Sequence, residues 1–408
     1  MTFLDDAKAR DSADPLAYAR ERFRLPEGVI YLDGNSLGAM PAATPARLAE
    51  VAEREWGGDL IASWNKHHWI DAPHTVAARL APILGAQADE LLIAESTSIN
   101  LFKLIAAAIR ARPGRTTILT ETGNFPTDRY IADGAAELLG LEVRAVAPDA
   151  LAGAIGSDTA LVTLTQIDYR SSARRDMAAI NSSAKAAGAL NLWDLSHSAG
   201  ALRIDLNGLG CDLAVGCGYK YLNGGPGAPA YLFVAKALQE DLANPLPGWL
   251  GHADPFAFAD AYAPAAGIRR FLSGTPSIIA LAALDCGLAT FEGVAMDAVE
   301  AKAGALGDLF IASVEQGCGD PLRLQSPRES ANRGSHVSFA HPQAYAVMQA
   351  LIEQKVIGDF RAPDLLRFGF APLYNCFEDA VRAAEILTDI LTSGSWDQPK
   401  FHQRAPVT

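Results

Sequence analysis

The feature that most constrains the fold is an alternation of apolar and amphipathic runs between about residues 85 and 235. Short apolar runs such as LLIA (91–94), TTILT (116–120) and ALVTLT (160–165) are each followed by a longer stretch with helical periodicity. Such alternation is typical of βα units, whose strands pair into a mainly parallel, buried sheet. Because ligands of these sheets bind at the carboxyl ends of the strands, we expect an α/β fold with functional residues just after the apolar runs.

The pattern of apolar and polar residues changes at two places along the chain. Residues 1–60 read as helices and turns, and we expect them to join the small domain or a dimer contact. Residues 61–275 contain the alternating runs and form the predicted large domain. Residues 276–408 begin with a long apolar helix and continue with mixed strand-like and helical runs, which predicts a smaller α+β domain.

Composition excludes several classes of function. The 408 residues carry a formal net charge of -13 without a basic cluster, which argues against nucleic acid and anionic membranes as partners. The first residues lack the apolar core of a secretory signal, and the longest apolar stretch is interrupted by Asp285. Five scattered cysteines without a CxxC pair predict neither disulfides nor a zinc site, and His67–His68 lacks a third ligand. We expect a cytoplasmic globular protein without a metal.

A lysine stands where the run DLAVGCG meets a glycine-rich loop. The segment GYKYLNGGPG holds Lys220 between two tyrosines. Glycines let the backbone approach a ligand closely, and a lysine removed from water can form a Schiff base with a carbonyl group. An ordinary surface lysine is the alternative, but the small and apolar neighbours favour the reactive one.

The segment WDLSH places Asp194 at the end of another apolar run and His197 three positions later. A carboxylate at this point can keep the ring nitrogen of a pyridine ligand protonated, which makes the ring an electron sink. Two side chains that cap the next turn are an equally good interpretation of this segment.

Three further segments contain candidate ligand-binding residues. Thr97 and Ser98 open an amphipathic helix, where hydroxyl groups cap the helix, bind a phosphate, or do both. Phe125 and Asp128 in NFPTDRY can reach a flat ligand, although an ordinary turn with a buried phenylalanine fits this stretch better by itself. Arg367 lies in an apolar run and needs an anionic partner, either an acidic side chain or a substrate carboxylate.

Taken together, these segments resemble pyridoxal-phosphate enzymes of the aspartate-aminotransferase fold type, and among them the kynureninase family. The resemblance extends from about residue 30 to 378 and includes YLDGNSLGAMP (31–41), GWLGH (248–252), FLSGTPSI (271–278) and RFGFAPLYN (367–375). It implies fold type I, with a mainly parallel seven-stranded sheet in the large domain. It also implies hydrolysis of L-kynurenine, and of 3-hydroxy-L-kynurenine, to anthranilate or 3-hydroxyanthranilate and L-alanine in tryptophan catabolism.

The resemblance further implies a role for each matching residue. Lys220 is the Schiff-base lysine, Tyr219 a proton relay and Asp194 the partner of the pyridine nitrogen. The implied cofactor-binding residues are Thr97, Ser98, Phe125, Pro126, Thr127, Asp128, Thr165, Asp194, His197, Tyr219, Lys220, Trp249 and Thr275. Of these, Trp249 and Thr275 reach the cofactor from the second subunit of a homodimer. The implied substrate-binding residues are Ser36, Trp64, His68 and Arg367, the last of which holds the substrate carboxylate.

Other functions fit parts of the same pattern. A cysteine desulfurase or an aminotransferase can share the fold, but a desulfurase needs a mobile catalytic cysteine in a loop. Cys211 and Cys217 lie in a strand-like run instead, and Cys376 opens a helix. A binding protein without catalysis is a further alternative, which the presence of Lys220 disfavours. Trp64 leaves little room for a ring hydroxyl, so kynurenine is the expected substrate.

Overall fold

A computed structural model describes residues 2–319 and 321–404 of the chain. The N-terminal part consists of short elements, of which Ala7 and Leu32 enter the C-terminal core whereas Leu16 and Phe23 enter a core beneath the central sheet. These elements are α1 (Phe3–Ala13), β1 (Phe23–Arg24), β2 (Ile30–Tyr31), β3 (Met40–Pro41), α2 (Thr44–Glu50), α3 (Ser63–Lys66) and α4 (Ala72–Leu84), with a π-helical turn at Val51–Trp56.

A seven-stranded sheet occupies the centre of the molecule. Its elements, in chain order, are β4 (Leu91–Ile93), α5 (Thr97–Arg110), β5 (Thr117–Glu121), α6 (Pro126–Leu139), β6 (Glu142–Val146), α7 (Leu151–Ala154), β7 (Thr159–Thr165), α8 (Met177–Ala187), β8 (Leu190–Asp194), β9 (Leu213–Gly216) and β10 (Tyr231–Val234). The strand order is β4-β10-β9-β8-β7-β5-β6. Strand β10 runs antiparallel to both of its neighbours, and the other pairs are parallel. The predicted mainly parallel, seven-stranded sheet is therefore confirmed.

The strands of this sheet read as continuous apolar runs because both of their faces are covered. Adjacent residues of one strand enter different apolar cores, as Leu192 and Trp193 of β8 illustrate. The carboxyl ends of the parallel strands then lie together at one edge. There Thr165, the last residue of β7, pairs in register with Asp194, the last residue of β8.

The C-terminal part forms a smaller antiparallel sheet with helices. Its elements are α9 (Ile278–Ala289), α10 (Met296–Cys318), β11 (Arg323–Leu324), β12 (His336–Ala340), α11 (Ala344–Glu353), β13 (Val356–Ile357), β14 (Asp359–Arg361), β15 (Leu365–Gly369) and α12 (Phe377–Ser393). The strand order is β11-β12-β15-β14, and β13 pairs instead with β2 near the N-terminus. Among the residues that the structure describes, no helix combines the length and the apolar character that a membrane crossing requires.

Candidate active site

The site is built around Lys220, which lies in the loop that follows β9. Its Nζ atom lies 3.0 Å from Nε2 of His197. The same atom lies 5.9 Å from the ring centres of Phe125 and of Tyr219. Residues from three separate sequence motifs are thus brought together around one amine.

The N-terminal segment fixes the position of this loop. The backbone N–H of Gly38 donates to the carbonyl oxygen of Tyr219 at 2.8 Å. A Cβ atom at position 38 would lie 2.3 Å from the carbonyl oxygen of Lys220, so only glycine permits this close approach. The motif YLDGNSLGAMP therefore acts on the lysine loop through its backbone.

Two buried carboxylates lie at the carboxyl edge of the sheet. Oδ1 of Asp194 accepts a hydrogen bond from the backbone N–H of Ser196 at 2.7 Å, and Oδ2 of Asp128 accepts one from the hydroxyl of Thr165 at 3.3 Å. Burial, and next the negative charge of Asp194, raise the pKa of Asp128 well above its ordinary value. The pair therefore retains a proton and carries one negative charge rather than two.

His197 is neutral in this environment. Burial, and next the positive charges of Lys220 and Arg367, lower the pKa of His197 well below its ordinary value. Burial also raises the pKa of the Tyr219 phenol, so that Tyr219 holds its proton at neutral pH. The polar groups beside Nζ of Lys220 thus include a neutral imidazole and a protonated phenol.

Arg367 has an acidic side chain as its partner. Its Nε donates to Oδ1 of Asp359 at 2.8 Å, and its Nη2 bonds to Oδ2 of the same carboxylate. Its Nη1 donates to the carbonyl oxygen of Tyr169 at 2.6 Å, and Nη2 reaches Oγ of Ser36 at 3.2 Å. The guanidinium is only 1% exposed. The structure therefore joins the predicted Ser36 and Arg367, with Asp359 as the partner that the sequence left open.

Arg361 shares the carboxylate of Asp359. Its Nη2 lies 2.8 Å from Oδ2 of Asp359, and its side chain is 40% exposed. Asp33 lies in the same cluster, where burial and then the charge of Asp359 raise the pKa of Asp33 to about 7. Two guanidinium groups thus face one fully charged carboxylate, which leaves positive charge available for an anionic ligand.

Sequence reasoning missed Asp359, Arg361, His336 and Tyr169. Asp359 lies directly opposite Arg367 in the β14–β15 ladder, so a hairpin assignment for 359–369 would have predicted the pair. Tyr169 packs its ring edge-on against Phe125, with ring centres 5.2 Å apart, while its carbonyl accepts from Arg367. No sequence pattern marks Tyr169, because it lies in a loop after β7.

Other predicted site residues lie away from Lys220 in this chain. Within residues 2–319 and 321–404, no hydrogen bond or ring contact joins Trp64, His68, Trp249 or Thr275 to Lys220. Trp64 packs against Trp69, and the side chain of His68 is exposed. Trp249 packs against Phe256, and Thr275 lines a separate cavity of 270 Å³. These four assignments stay predictions.

The start of α5 differs from its predicted form by one residue. The capping residue is Ser96, whose hydroxyl accepts from the backbone N–H of Ile99 at 3.4 Å. Thr97 and Ser98 are the first helical residues, so capping by their hydroxyls is wrong. Their side chains are free of that role and stand at the positive end of a helix of 14 residues, a position that suits a phosphate.

The residues present fit a pyridoxal phosphate group. The Asp128–Asp194 pair buries negative charge that a protonated pyridine nitrogen would neutralise. Phe125 offers a flat apolar face beside Nζ of Lys220. Nδ1 of His197 is buried and has no hydrogen-bond partner among the residues that the structure describes. The chemical groups of that cofactor are matched by the amine of Lys220, the Asp128–Asp194 pair, the ring of Phe125 and the N-terminus of α5.

Comparison with solved structures places the fold. The chain matches the apo structure of a cysteine desulfurase from Thermococcus onnurineus NA1 with a TM-score of 0.80 at 18% identity, covering 92% of this chain and 98% of that one. It also matches a C-DES mutant with glycine covalently linked to its PLP cofactor, with a TM-score of 0.78 at 18% identity, covering 90% and 98% of the two chains. Fold and site define a pyridoxal-phosphate-dependent enzyme of fold type I.

Comparison of sequences identifies the family. The chain is 49% identical over 416 residues to kynureninase of Pseudomonas fluorescens, covering 100% of both chains. It is 49% identical over 420 residues to kynureninase of Burkholderia pseudomallei strain K96243, again over 100% of both. Residues 299–387 match the kynureninase C-terminal domain. The chain belongs to the kynureninase family, which confirms the predicted family, enzyme function and cofactor.

Proposed function

We propose that this chain hydrolyses the Cβ–Cγ bond of L-kynurenine and releases anthranilate and L-alanine. The observation that carries the proposal is the arrangement around His197, which faces the positive charges of both Lys220 and Arg367. The α-carboxylate of an amino-acid substrate can pair with the guanidinium of Arg367 while its α-amino group lies beside Lys220. The residue assignments that follow extend this proposal.

The cofactor has an assigned partner for each of its polar groups. Pyridoxal phosphate, when bound, supplies an electron sink for negative charge that develops on the substrate. We assign its ring nitrogen to Asp194, its ring face to Phe125, and its phosphate to the start of α5 and the hydroxyl of Tyr219. Pro126, Thr127, Asp128, Thr165 and His197 line the same space, and the last three are buried at the edge of the sheet.

Two groups of the chain handle protons. Lys220 removes the proton from Cα of the substrate, because its Nζ is the basic group at the centre of the site. A water oxygen then bonds to the γ-carbonyl carbon, and the electron pair of the Cβ–Cγ bond moves to Cβ. Tyr219, which holds its proton at neutral pH, delivers a proton to Cβ and regains one from the added water. Lys220 returns its proton to Cα, which completes alanine.

The substrate carboxylate binds at the arginine pair. Arg367 is positioned by Asp359 and Ser36, and Arg361 is the more exposed of the two guanidinium groups. Arg361 therefore presents N–H donors to the substrate carboxylate. Arg367 contributes positive charge, and some of its hydrogen bonds to the protein are replaced by hydrogen bonds to the carboxylate. The aryl ring of the substrate is assigned to Trp64 and His68, and the bulk of Trp64 favours L-kynurenine over 3-hydroxy-L-kynurenine.

We further propose a cytoplasmic homodimer with shared active sites. The exposed aromatic side chains of Trp249, Phe256 and Phe258 support a subunit contact in this region. Trp249 and Thr275 then complete the site of the partner. Mixing Lys220→Ala with Trp249→Ala chains tests this, since random dimers with shared sites regain about a quarter of the wild-type activity. Activity that stays at the level of the separate variants contradicts shared sites.

The chain divides into three parts in our proposal. We propose a large cofactor-binding domain at 61–275, a small domain at 276–408, and an N-terminal segment at 1–60 that belongs with the small domain and the dimer contact. The pairing of β2 with β13 supports the last of these assignments.

The direct test adds L-kynurenine to the purified protein and follows the fluorescence of anthranilate, with alanine measured in equal amount. Release of sulfur from L-cysteine without cleavage of L-kynurenine would overturn the proposal in favour of a desulfurase. Cys211 and Cys217 give no support to that alternative, because both are buried.

A further inference from the structure

His336 is a fully buried histidine that the proposed reaction does not use. It is the first residue of β12 and is 0% exposed, and neither of its ring nitrogens has a hydrogen-bond partner among residues 2–319 and 321–404. Buried polar groups without partners are rare, and each of them destabilises the folded protein. Two such atoms on one side chain therefore call for a functional explanation.

The neighbours of His336 connect it to Lys220. Its ring centre lies 5.4 Å from that of His197, with the two ring planes tilted by 58°. Nδ1 of His197 is also buried and unpartnered, while Nε2 of the same ring contacts Nζ of Lys220. Because imidazole nitrogens lie about 1 Å from the ring centre, nitrogens of the two rings that point toward each other across this separation are about 3 Å apart, which is hydrogen-bond distance.

A third unpartnered side chain occupies the cross-strand position beside His336. Asn35 is fully buried, and neither atom of its amide has a partner in the described part of the chain. Its amide fills the place that a Cβ of residue 369 would take, and Gly369 is the cross-strand partner of His336. An amide and an imidazole each offer one kind of donor and one kind of acceptor, so they can satisfy each other in either direction.

We propose that His336 is a positioning residue that hydrogen-bonds to Nδ1 of His197 and thereby supports each of the two tautomers that His197 presents to Lys220. Since His336 is 0% exposed, it does not touch the substrate and acts through His197. This inference extends the proposed function to a residue outside the assigned site.

The tautomer of His197 matters because Nζ of Lys220 changes its hydrogen-bonding role during the reaction. A protonated Nζ donates, so Nε2 of His197 must accept and Nδ1 must carry the hydrogen. An unprotonated Nζ can accept, and the hydrogen then moves to Nε2. His336 can accept from Nδ1 in the first case and donate to it in the second.

The charges around the two rings keep both of them neutral. The charged groups facing His336 are Arg367, Asp359, Lys220 and Arg361, and burial is the largest cause of its lowered pKa. His197 faces Lys220, Arg367 and Arg361 together with His336. A neutral imidazole has one donor and one acceptor, which is the combination that serves both tautomers.

The test compares His336→Leu with His336→Gln in the full-length apoprotein and follows capture of pyridoxal phosphate by absorbance as a function of pH. Leucine can neither accept from Nδ1 nor donate to it. Because an unpaired buried N–H is more costly than an unpaired acceptor, the hydrogen of His197 moves to Nε2 and disfavours the protonated amine. We expect the pH midpoint of capture to fall by about one unit in His336→Leu, the scale of one lost hydrogen bond. Glutamine keeps a donor and an acceptor and should retain the wild-type midpoint.

His341→Gln is the matched control, because this histidine follows the same strand but packs against Trp396. It should leave the midpoint unchanged. Equal midpoints for His336→Leu and the wild type, or equal shifts for His336→Leu and His336→Gln, overturn the proposal. If His336→Leu does not fold, the proposal is tested by nitrogen NMR of wild-type apoprotein labelled with 15N-histidine. Spectra in which neither buried ring has a hydrogen-bonded N–H contradict the proposal. Capture of the cofactor does not depend on the substrate, so failure of the proposed reaction is a separate result.

Discussion

The carboxylate of Asp359 binds both Arg361 and Arg367, so its replacement should affect both arginines. Replacing Asp359 by Asn keeps the shape of the side chain and removes its charge, so Arg367 stays 1% exposed without a counter-ion. Breaking a buried ion pair from one side destabilises a protein by about 3–5 kcal/mol. Because asparagine retains one acceptor and Arg361 is partly exposed, we expect a loss near the lower value, about 3 kcal/mol.

Urea unfolding of the apoprotein, followed by fluorescence, measures this loss as a lower midpoint. Burial alone would raise the pKa of Asp359, but the charge and hydrogen bonds of Arg367 hold it below its ordinary value. A lowered pKa stabilises the folded state above the pKa of the unfolded chain, and this stabilisation is lost as the pH falls through the folded value. The difference between wild type and variant should therefore be full at pH 7 and shrink below about pH 4.

A matched control and a kinetic measurement sharpen the test. Asp158→Asn breaks an exposed pair with Arg144 and should leave the urea midpoint almost unchanged. Asp359→Asn should also raise KM for L-kynurenine, because Arg367 loses the group that orients it. A variant that unfolds like the control, or a deficit that grows as the pH falls, would refute the assignment of Asp359 as the anchor of Arg367.

Three further outcomes are expected. Lys220→Ala should lose both turnover and the visible absorbance that depends on its Schiff base with pyridoxal phosphate, and wild-type turnover would contradict its role. Arg361→Ala should mainly raise KM with little effect on kcat, measured by anthranilate release, whereas an unchanged KM would remove Arg361 from the carboxylate site. Asp128→Asn should make the apoprotein more resistant to urea at pH 8, where the buried carboxylate of the wild type is charged and destabilises the folded state. Near pH 4 the wild-type acid is protonated, so the variant should be no more resistant than the wild type.

The sequence predicts the residues of the large sheet better than those of the small one. Asp194 ends a buried strand and Lys220 follows one closely, so the rule that ligands bind at carboxyl ends is enough to select both, whereas Thr165 is predicted from the family resemblance. Asp359 and His336 lie in strands whose partners are set by pairing with β15, and that register cannot be read from a short run of residues.

The choice between the interpretations of Arg367 illustrates the same limit. An arginine in an apolar run requires an anion, but only the hairpin register shows that Asp359 supplies it. The residue assignments at 60–70 and 248–275 stay predictions, because Trp64, His68, Trp249 and Thr275 make no hydrogen bond or ring contact with Lys220 within the described residues of the chain.

The hydrogen bond between Gly38 and Tyr219 has a consequence for the order of assembly. This hydrogen bond joins the lysine loop to a segment that leaves the ribosome long before the loop does. Arg367 leaves the ribosome long after the loop. The site therefore depends on contacts between distant parts of the chain, and such contacts form late because their loop-closure entropy is large. A nascent chain can hold both the strands and the lysine and still lack the substrate-binding arginine, so turnover of substrate, rather than capture of the cofactor, reports that synthesis and folding of the whole protein have finished.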